Sequence, residues 1–332
     1  MGLLDVLPWR RPKVVGPAPE ADLFDDQFQR KLDYLALVSR RMFSGRMRAE
    51  RRTRKSGSGV EFADHRDYQP GDDFRSLDWN VYQRFEKLLV RLYEEEEDLA
   101  IYFILDTSAS MAFDARSESR GKNVPSGGGT NVPSGGGKKL DYAKKIVAAL
   151  AYVGLANLDR VSIVTAGDRV VDRMPETRGT ARIFKALRFL REVGPGGTTD
   201  LGDAMKMFVA QNKRRGLAVL VSDLYDPRGF ERGINVLRYN NFDPFVLHVV
   251  DRTESRPKLQ GDVLLYDCET GDEREVTVTA RVLDRFAAAY AQYLTDVERF
   301  CATHQVPYIE ADVHVPFDEL ILRVFRRGGF LR

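Results

Sequence analysis

The segment Leu99-Ala-Ile-Tyr-Phe-Ile-Leu-Asp-Thr-Ser-Ala-Ser110 joins an uninterrupted apolar run to a short polar loop. An apolar run without alternation is typical of a strand that is buried on both faces of a parallel sheet. The polar residues from Asp106 onward therefore lie directly after the end of such a strand. In an open α/β sheet, this carboxyl edge is where ligands bind.

Strands and helices alternate on the carboxyl side of this segment. Apolar runs predict strands at 160–165, 169–174, 217–222, 244–250 and 307–310. Repeats of three and four residues predict helices from about 139 and at 180–192, 201–213, 228–239, 281–304 and 317–327. Such alternation requires crossover connections. It predicts an α/β fold with a doubly wound, mostly parallel sheet, preceded by a small β-rich unit.

The chain is expected to divide into three parts. A loose leader is expected at residues 1–29. A helix, a basic stretch and the small β-rich unit are expected at 30–98, and the α/β domain is expected at 99–332. Within that domain, a flexible loop is expected at 114–138, because the direct repeat of Asn-Val-Pro-Ser-Gly-Gly-Gly cannot bury apolar surface. A β-hairpin insertion is expected at about 262–279.

Two features of the amino-terminal part are interpreted as structural. Pro70-Gly-Asp-Asp73 predicts a turn, with Arg75 and Asp78 in ion pairs and Trp79 as the apolar anchor of the unit. The basic stretch from Arg40 to Lys55 is expected to be solvated or to face the acidic run Glu94 to Glu97.

Composition limits the classes of protein to consider. No apolar run approaches the roughly 20 residues that cross a bilayer, and the first residues lack the apolar stretch of a signal peptide. The two cysteines, Cys268 and Cys301, are too few and too far apart to form a disulfide framework. The net charge of +2 identifies no partner. We therefore expect a cytoplasmic protein with reduced cysteines.

Three polar features lie at strand ends or helix starts on one predicted edge of the sheet. Asp106, Ser108 and Ser110 follow the first strand, Thr199 precedes a helix, and Asp223 follows the strand that ends at Ser222. All five side chains offer hard oxygen ligands of the kind that Mg²⁺ prefers. The sequence therefore predicts a divalent metal site with one open position. The alternative is that these residues are ordinary helix caps.

Asp106-x-Ser108-x-Ser110, with Thr199 and Asp223, resembles the metal-ion-dependent adhesion site of von Willebrand factor A domains. The resemblance implies that the serines and the threonine contact Mg²⁺ or Mn²⁺, and that the aspartates act mainly through water. It also implies that an acidic residue of a protein partner fills the open position. Thr199 is preferred to Thr198, because Thr199-Asp-Leu201 matches the pattern of these domains.

A second resemblance covers most of the chain. The segments Phe62 to Trp79, Asp106 to Met111 and Leu265 to Gly271 are similar to the bacterial family of unknown function fifty-eight. This resemblance implies a von Willebrand A-like, Rossmann-like domain after an amino-terminal β-rich piece. It also implies a MoxR-type AAA+ ATPase, or a client of that ATPase, as partner. We therefore expect a metal-dependent adaptor, acting like a co-chaperone, rather than an enzyme.

Two other functions stay open at this stage. In a magnesium-dependent phosphatase, Asp106 would be the nucleophile and Asp223 a metal ligand. Such enzymes resemble haloacid dehalogenases, which carry a second aspartate where this chain has Ser108. Alternatively, the basic arm from Arg40 to Lys55 could bind nucleic acid or an anionic surface, with steep salt dependence.

Overall fold

The structure is a computed structural model that describes residues 23–43, 52–56, 61–96, 99–112 and 138–327. Its strands are β1 (Arg52–Ser56), β2 (Glu61–Asp67), β3 (Leu89–Glu96), β4 (Ala100–Asp106), β5 (Arg160–Ala166), β6 (Val170–Thr177), β7 (Leu217–Ser222), β8 (Asp243–Val250), β9 (Gly261–Tyr266), β10 (Glu273–Val278) and β11 (Tyr308–Asp312). Its helices are α1 (Asp26–Phe43), α2 (Trp79–Phe85), α3 (Ala109–Ala112), α4 (Lys138–Ala156), α5 (Ile183–Glu192), α6 (Leu201–Gln211), α7 (Glu231–Tyr239), α8 (Ala280–Thr303) and α9 (Phe317–Arg327). The repeat at 123–137 lies outside the described residues.

A six-stranded sheet forms the centre of the protein, in the order β11-β8-β7-β4-β5-β6. All of its neighbours are parallel except β5 and β6, which are antiparallel. The prediction of an α/β fold with a mostly parallel sheet is thereby confirmed. The chain continues from β4 to one side through β5 and β6, and to the other through β7, β8 and β11. The strand order therefore reverses between β4 and β7, and this switch point is where open α/β sheets bind ligands.

The two faces of the sheet bury separate cores. Ile101, Phe103 and Leu105 of β4 belong to the core that includes α1, α4, α5 and α9. The intervening Tyr102 and Ile104 belong to the core that includes α6, α7 and the end of α8. Successive side chains of a strand point to opposite faces, so the unbroken apolar run of β4 up to Leu105 follows from helices covering both sides.

Helix α1 packs on the main core. Phe24 and Phe28, which fall within the predicted leader, are buried together with Leu32 and Leu35. The Phe28 ring centroid lies 4.9 Å from that of Phe317 in α9. The periodicity of apolar residues thus predicted the helix, and their burial ties it to the α/β domain. None of the helices in the described ranges has the length and apolarity that a bilayer span requires.

The amino-terminal unit is a three-stranded antiparallel sheet in the order β1-β3-β2. In the β1–β3 pair, the backbone of Arg52 lies opposite Glu96 and that of Arg54 opposite Glu94. The described part of this unit also contains α2, whereas the sequence predicted only strands and turns there. Asp78 explains this helix, because its carboxylate accepts the backbone N–H groups of Asn80 and Val81 as an N-cap.

Asp78, rather than Trp79, anchors this unit. Its carboxylate also accepts bonds from Arg91 at 2.9 Å and from His65 at 3.0 Å. Trp79 was expected to be the anchor, but 54% of it is exposed, so that interpretation was wrong. The first turn of α2 directs the indole outward while the capping carboxylate points into the sheet.

Candidate functional site

Four of the five predicted site residues are joined by hydrogen bonds at the switch point. Asp106 ends β4, and its Oδ1 accepts the backbone N–H of Ser108 at 2.9 Å. The hydroxyl oxygens of Ser108 and Ser110 are 3.0 Å apart. The Ser110 hydroxyl then donates to Asp223 Oδ1 at 3.3 Å. The loop after β4 and the loop after β7 therefore direct their oxygen atoms toward one another.

Both aspartates are held in place from the β7 side. The Ser222 hydroxyl donates to Asp106 Oδ2 and accepts the N–H of Leu224 at 2.8 Å. Leu224 adopts a left-handed backbone with φ of 60°, which is uncommon for a residue with a side chain. The Tyr293 hydroxyl donates to the Leu224 carbonyl at 2.8 Å. Contacts from β7 and α8 thus fix the tight turn that positions Asp223.

Thr199 lies on a third loop that packs beside the first. The N–H of Ala109 donates to the Gly197 carbonyl at 3.2 Å, and the N–H of Gly196 donates to the Thr107 carbonyl at 2.8 Å. Gly197 has φ of 83°, a conformation that glycine adopts without strain. Thr199 is buried whereas Thr198 is exposed, so the predicted threonine is the one that faces inward.

A buried lysine, which the sequence pattern did not predict, lies inside the cluster. Lys139, at the start of α4, places its Nζ 2.8 Å from Asp223 Oδ2 and 2.8 Å from Glu254 Oε1. The Lys139 and Asp223 side chains are each only 1% exposed. The ammonium also lies 4.9 Å from the centre of the Tyr225 ring, whose hydroxyl donates to Glu254. One internal cation is therefore built into the proposed metal site.

Thr199 binds a carboxylate of the same chain. Glu269, in the turn between β9 and β10, accepts the Thr199 N–H at 2.9 Å on one oxygen and the Thr199 hydroxyl at 2.7 Å on the other. The backbone and side chain of one residue thus form a two-donor receptor for a carboxylate. No bond recorded among the described residues joins Thr199 to Asp106, Ser108, Ser110 or Asp223, so the structure unites those four and places Thr199 beside them.

Burial and charge shift the pKa values of the ionisable groups. Burial, followed by the charge of Asp223, raises the pKa of Asp106 well above its usual range, although bonds from Ser222 and Ser108 oppose the rise. Burial also raises the pKa of Glu254. Burial alone would lower the pKa of Lys139, but the charges of Asp223 and Glu254 outweigh it and the pKa lies above its usual value. The cluster thus holds more carboxyl groups than one ammonium neutralises.

This donor set fits a divalent cation. Within the described residues, no three His, Cys, Asp or Glu side chains form a metal-binding group, so a cation here would depend on the hydroxyl oxygens. Ser108, Ser110 and Thr199 supply them, and hard oxygen donors suit Mg²⁺ and Mn²⁺. Asp106 and Asp223 would supply negative charge to balance such a cation.

Sequence reasoning missed Lys139, Glu254 and Glu269. Lys139 begins a predicted helix, where a lysine is ordinarily solvated. Glu254 lies in a short helical turn after β8, within Arg252–Ser255, and nothing in its neighbourhood marks it as buried. Of the three, only Glu269 could have been found from the sequence, because it lies in the Leu265 to Gly271 segment that resembles a known family.

The fold and this cluster define a mixed α/β protein that gathers hydroxyls, carboxyl groups and one ammonium at the carboxyl edge of its sheet. The family model of DUF58, described as a protein of unknown function, matches residues 64–295. Since the match spans well over half of the chain, the protein belongs to DUF58.

Individual proteins are also similar to this chain over most of its length. An uncharacterized protein of Mycobacterium bovis is 27% identical over 295 residues, a stretch that covers 87% of each chain. An uncharacterized protein of Mycobacterium tuberculosis aligns with the same identity and coverage. Among solved structures, the conserved hypothetical protein BatB from Bacteroides thetaiotaomicron superposes with a TM-score of 0.39 at 14% identity, covering 69% of this chain and 98% of that one.

Proposed function

We propose that this protein is a divalent-cation-dependent protein-interaction module with a domain of the von Willebrand factor A type. The cation would be Mg²⁺ or Mn²⁺, held by Ser108, Ser110 and Thr199 and neutralised by Asp106 and Asp223. When bound, it would supply an electrophilic position that accepts a carboxylate oxygen from a protein partner. The partner class that the family resemblance suggests is a MoxR-type AAA+ ATPase or a client of that ATPase, and cytoplasmic localisation belongs to the same proposal.

The observation that carries this proposal is the chain of bonds from Asp106 through Ser108 and Ser110 to Asp223. These residues come from two loops that are more than a hundred positions apart in sequence, and they meet at the switch point of the sheet. Helix capping alone would not direct two serine hydroxyls toward each other and toward a second buried carboxylate. A cation-binding role accounts for this convergence.

A binding role also accounts for Asp106 better than nucleophilic catalysis does. Asp106 is fully buried, and both of its carboxylate oxygens accept hydrogen bonds, from Ser108 and Ser222. An attacking carboxylate needs an accessible lone pair. Ser108 also occupies the position at which an aspartate would be needed as general acid. These contacts favour a scaffold role for Asp106 over a phosphatase mechanism.

Calorimetric titration with Mn²⁺ tests the proposal directly. Wild-type protein should bind Mn²⁺, and Ser110→Ala should bind it at least about tenfold more weakly, because a contact to the ion is lost. The matched control is Ser162→Ala, which removes another buried hydroxyl, one that donates to the Met174 carbonyl within the central sheet. Equal affinities for wild type and Ser110→Ala, or no binding by the wild type, would contradict the proposal.

A further inference from the structure

The hairpin formed by β9 and β10 is poorly buried for an element of this size. Leu264, Leu265 and Tyr266 are exposed, and Val278 is the buried side chain of its two strands. The hairpin therefore gains little free energy from packing on the domain. Its tip nevertheless reaches the candidate site, through the bonds between Glu269 and Thr199.

The tip presents Glu269 in a preformed turn. Asp267 Oδ1 accepts the backbone N–H groups of Glu269 at 2.8 Å and of Thr270 at 2.9 Å. The N–H of Gly271, whose φ is 75°, donates to the Asp267 carbonyl at 2.9 Å. An aspartate that accepts the N–H groups ahead of it stabilises a tight turn. Little conformational entropy is therefore lost when Glu269 engages Thr199.

The contact is built for a carboxylate rather than for a generic polar group. Each Glu269 oxygen accepts one of the two donors of Thr199, one from the backbone and one from the side chain. Hydrogen bonds to an ionised carboxylate are roughly twice as strong as those between neutral groups. Thr199 itself is buried, so the donors are shielded from competing water.

We infer that Glu269 is an internal ligand that holds Thr199 and blocks the approach of a partner's carboxylate to the cation position beside it, so that an acidic partner must displace the β9–β10 hairpin to bind. This inference rests on the proposed function, because it assigns an occupant to the same site. The partner that fits is a protein turn with one projecting glutamate or aspartate, the same kind of element that the hairpin supplies.

Tethering lets the hairpin exclude weak ligands from the site. A carboxylate on the same chain acts at an effective concentration of about the millimolar range. Free carboxylates must exceed that concentration to compete. A protein partner can do so because it adds contacts outside the carboxylate position. A partner therefore binds only if its affinity for the site is high enough to displace the tethered Glu269.

The test measures binding of N-acetyl-glutamate amide in magnesium-containing buffer by NMR titration. Three full-length proteins are compared: wild type, Glu269→Gln, and the control Glu273→Gln, which makes the same change at an exposed position of β10. Glu269→Gln should bind the probe at least about tenfold more tightly than the other two, because the tethered competitor is weakened. N-acetyl-glutamine amide should bind none of them. Equal probe binding by all three proteins would overturn the inference.

Hydrogen exchange of residues 194–200 gives an independent readout, because this segment contains the Thr199 N–H that Glu269 accepts. Exchange of that amide should be at least about tenfold faster in Glu269→Gln than in wild type, and unchanged in Glu273→Gln. Unchanged exchange in Glu269→Gln would overturn the internal contact while leaving the metal proposal intact. If exchange is faster in Glu269→Gln but none of the three proteins binds the probe, the site does not bind a free carboxylate. That result would overturn both the role of Glu269 as an internal ligand and the proposed function.

Discussion

Replacing Lys139 by Met tests how charge is balanced in the buried cluster. Methionine keeps most of the apolar stem of the lysine and removes the ammonium. The ammonium makes two ion pairs of 2.8 Å, with Asp223 and Glu254, and its side chain is 1% exposed. The substitution therefore leaves two carboxyl groups facing each other without a cation.

The expected cost follows from these contacts. Removing one partner of a buried ion pair destabilises a protein by about 3–5 kcal/mol. In domains of 150–250 residues, each kcal/mol moves Tm by about 2–4 °C, so Tm should fall by about 6–20 °C. The cost should grow as pH rises, because burial raises the pKa of Glu254, and this carboxyl group must ionise against burial without its ammonium partner.

Thermal and urea unfolding of wild type, Lys139→Met and a matched variant measure this cost. The matched variant is Lys144→Met on the same helix, whose ammonium donates a hydrogen bond to the neutral Val193 carbonyl at 2.6 Å rather than bridging two buried carboxyl groups. Its cost should be only about 1–3 kcal/mol. Magnesium should restore more stability to Lys139→Met than to wild type, because a bound cation replaces the missing charge. Similar costs for the two lysine variants would refute the reasoning.

Two further predictions concern the turn beside the site and the amino-terminal unit. Gly197→Ala should destabilise the protein by about 1–2 kcal/mol, because φ of 83° is unfavourable for a residue with a Cβ atom, even though the added atom would have open space. Urea unfolding measures this cost, with Gly194→Ala as the control. Equal losses of stability in the two variants would contradict the prediction. Bonds from Arg91 and His65 hold the pKa of Asp78 well below its usual range. The stability from Asp78 should therefore be present at neutral pH and lost as pH falls below about 4, and Asp78→Asn should abolish this pH dependence in denaturation curves recorded across that range.

The sequence by itself determined the framework of the protein. An apolar residue at every position from Leu99 to Leu105 indicates burial on two faces, and this pattern alone predicted a central strand of a parallel sheet. Helix periodicity placed α9 at its observed bounds, 317–327. These inferences succeeded because periodicity is a local property, which neighbouring residues in the chain are sufficient to establish.

Other features depended on tertiary contacts. The sequence pattern preferred Thr199 to Thr198, but only the folded chain shows that Thr199 is buried and Thr198 exposed. Likewise, Lys139 meets Asp223 across 84 positions and Glu269 meets Thr199 across 70. Each of these side chains would be solvated if its strand or helix stood alone. The partners that stabilise a buried ammonium or a buried carboxylate contact are brought together by packed elements distant in sequence, and no single stretch of sequence contains them.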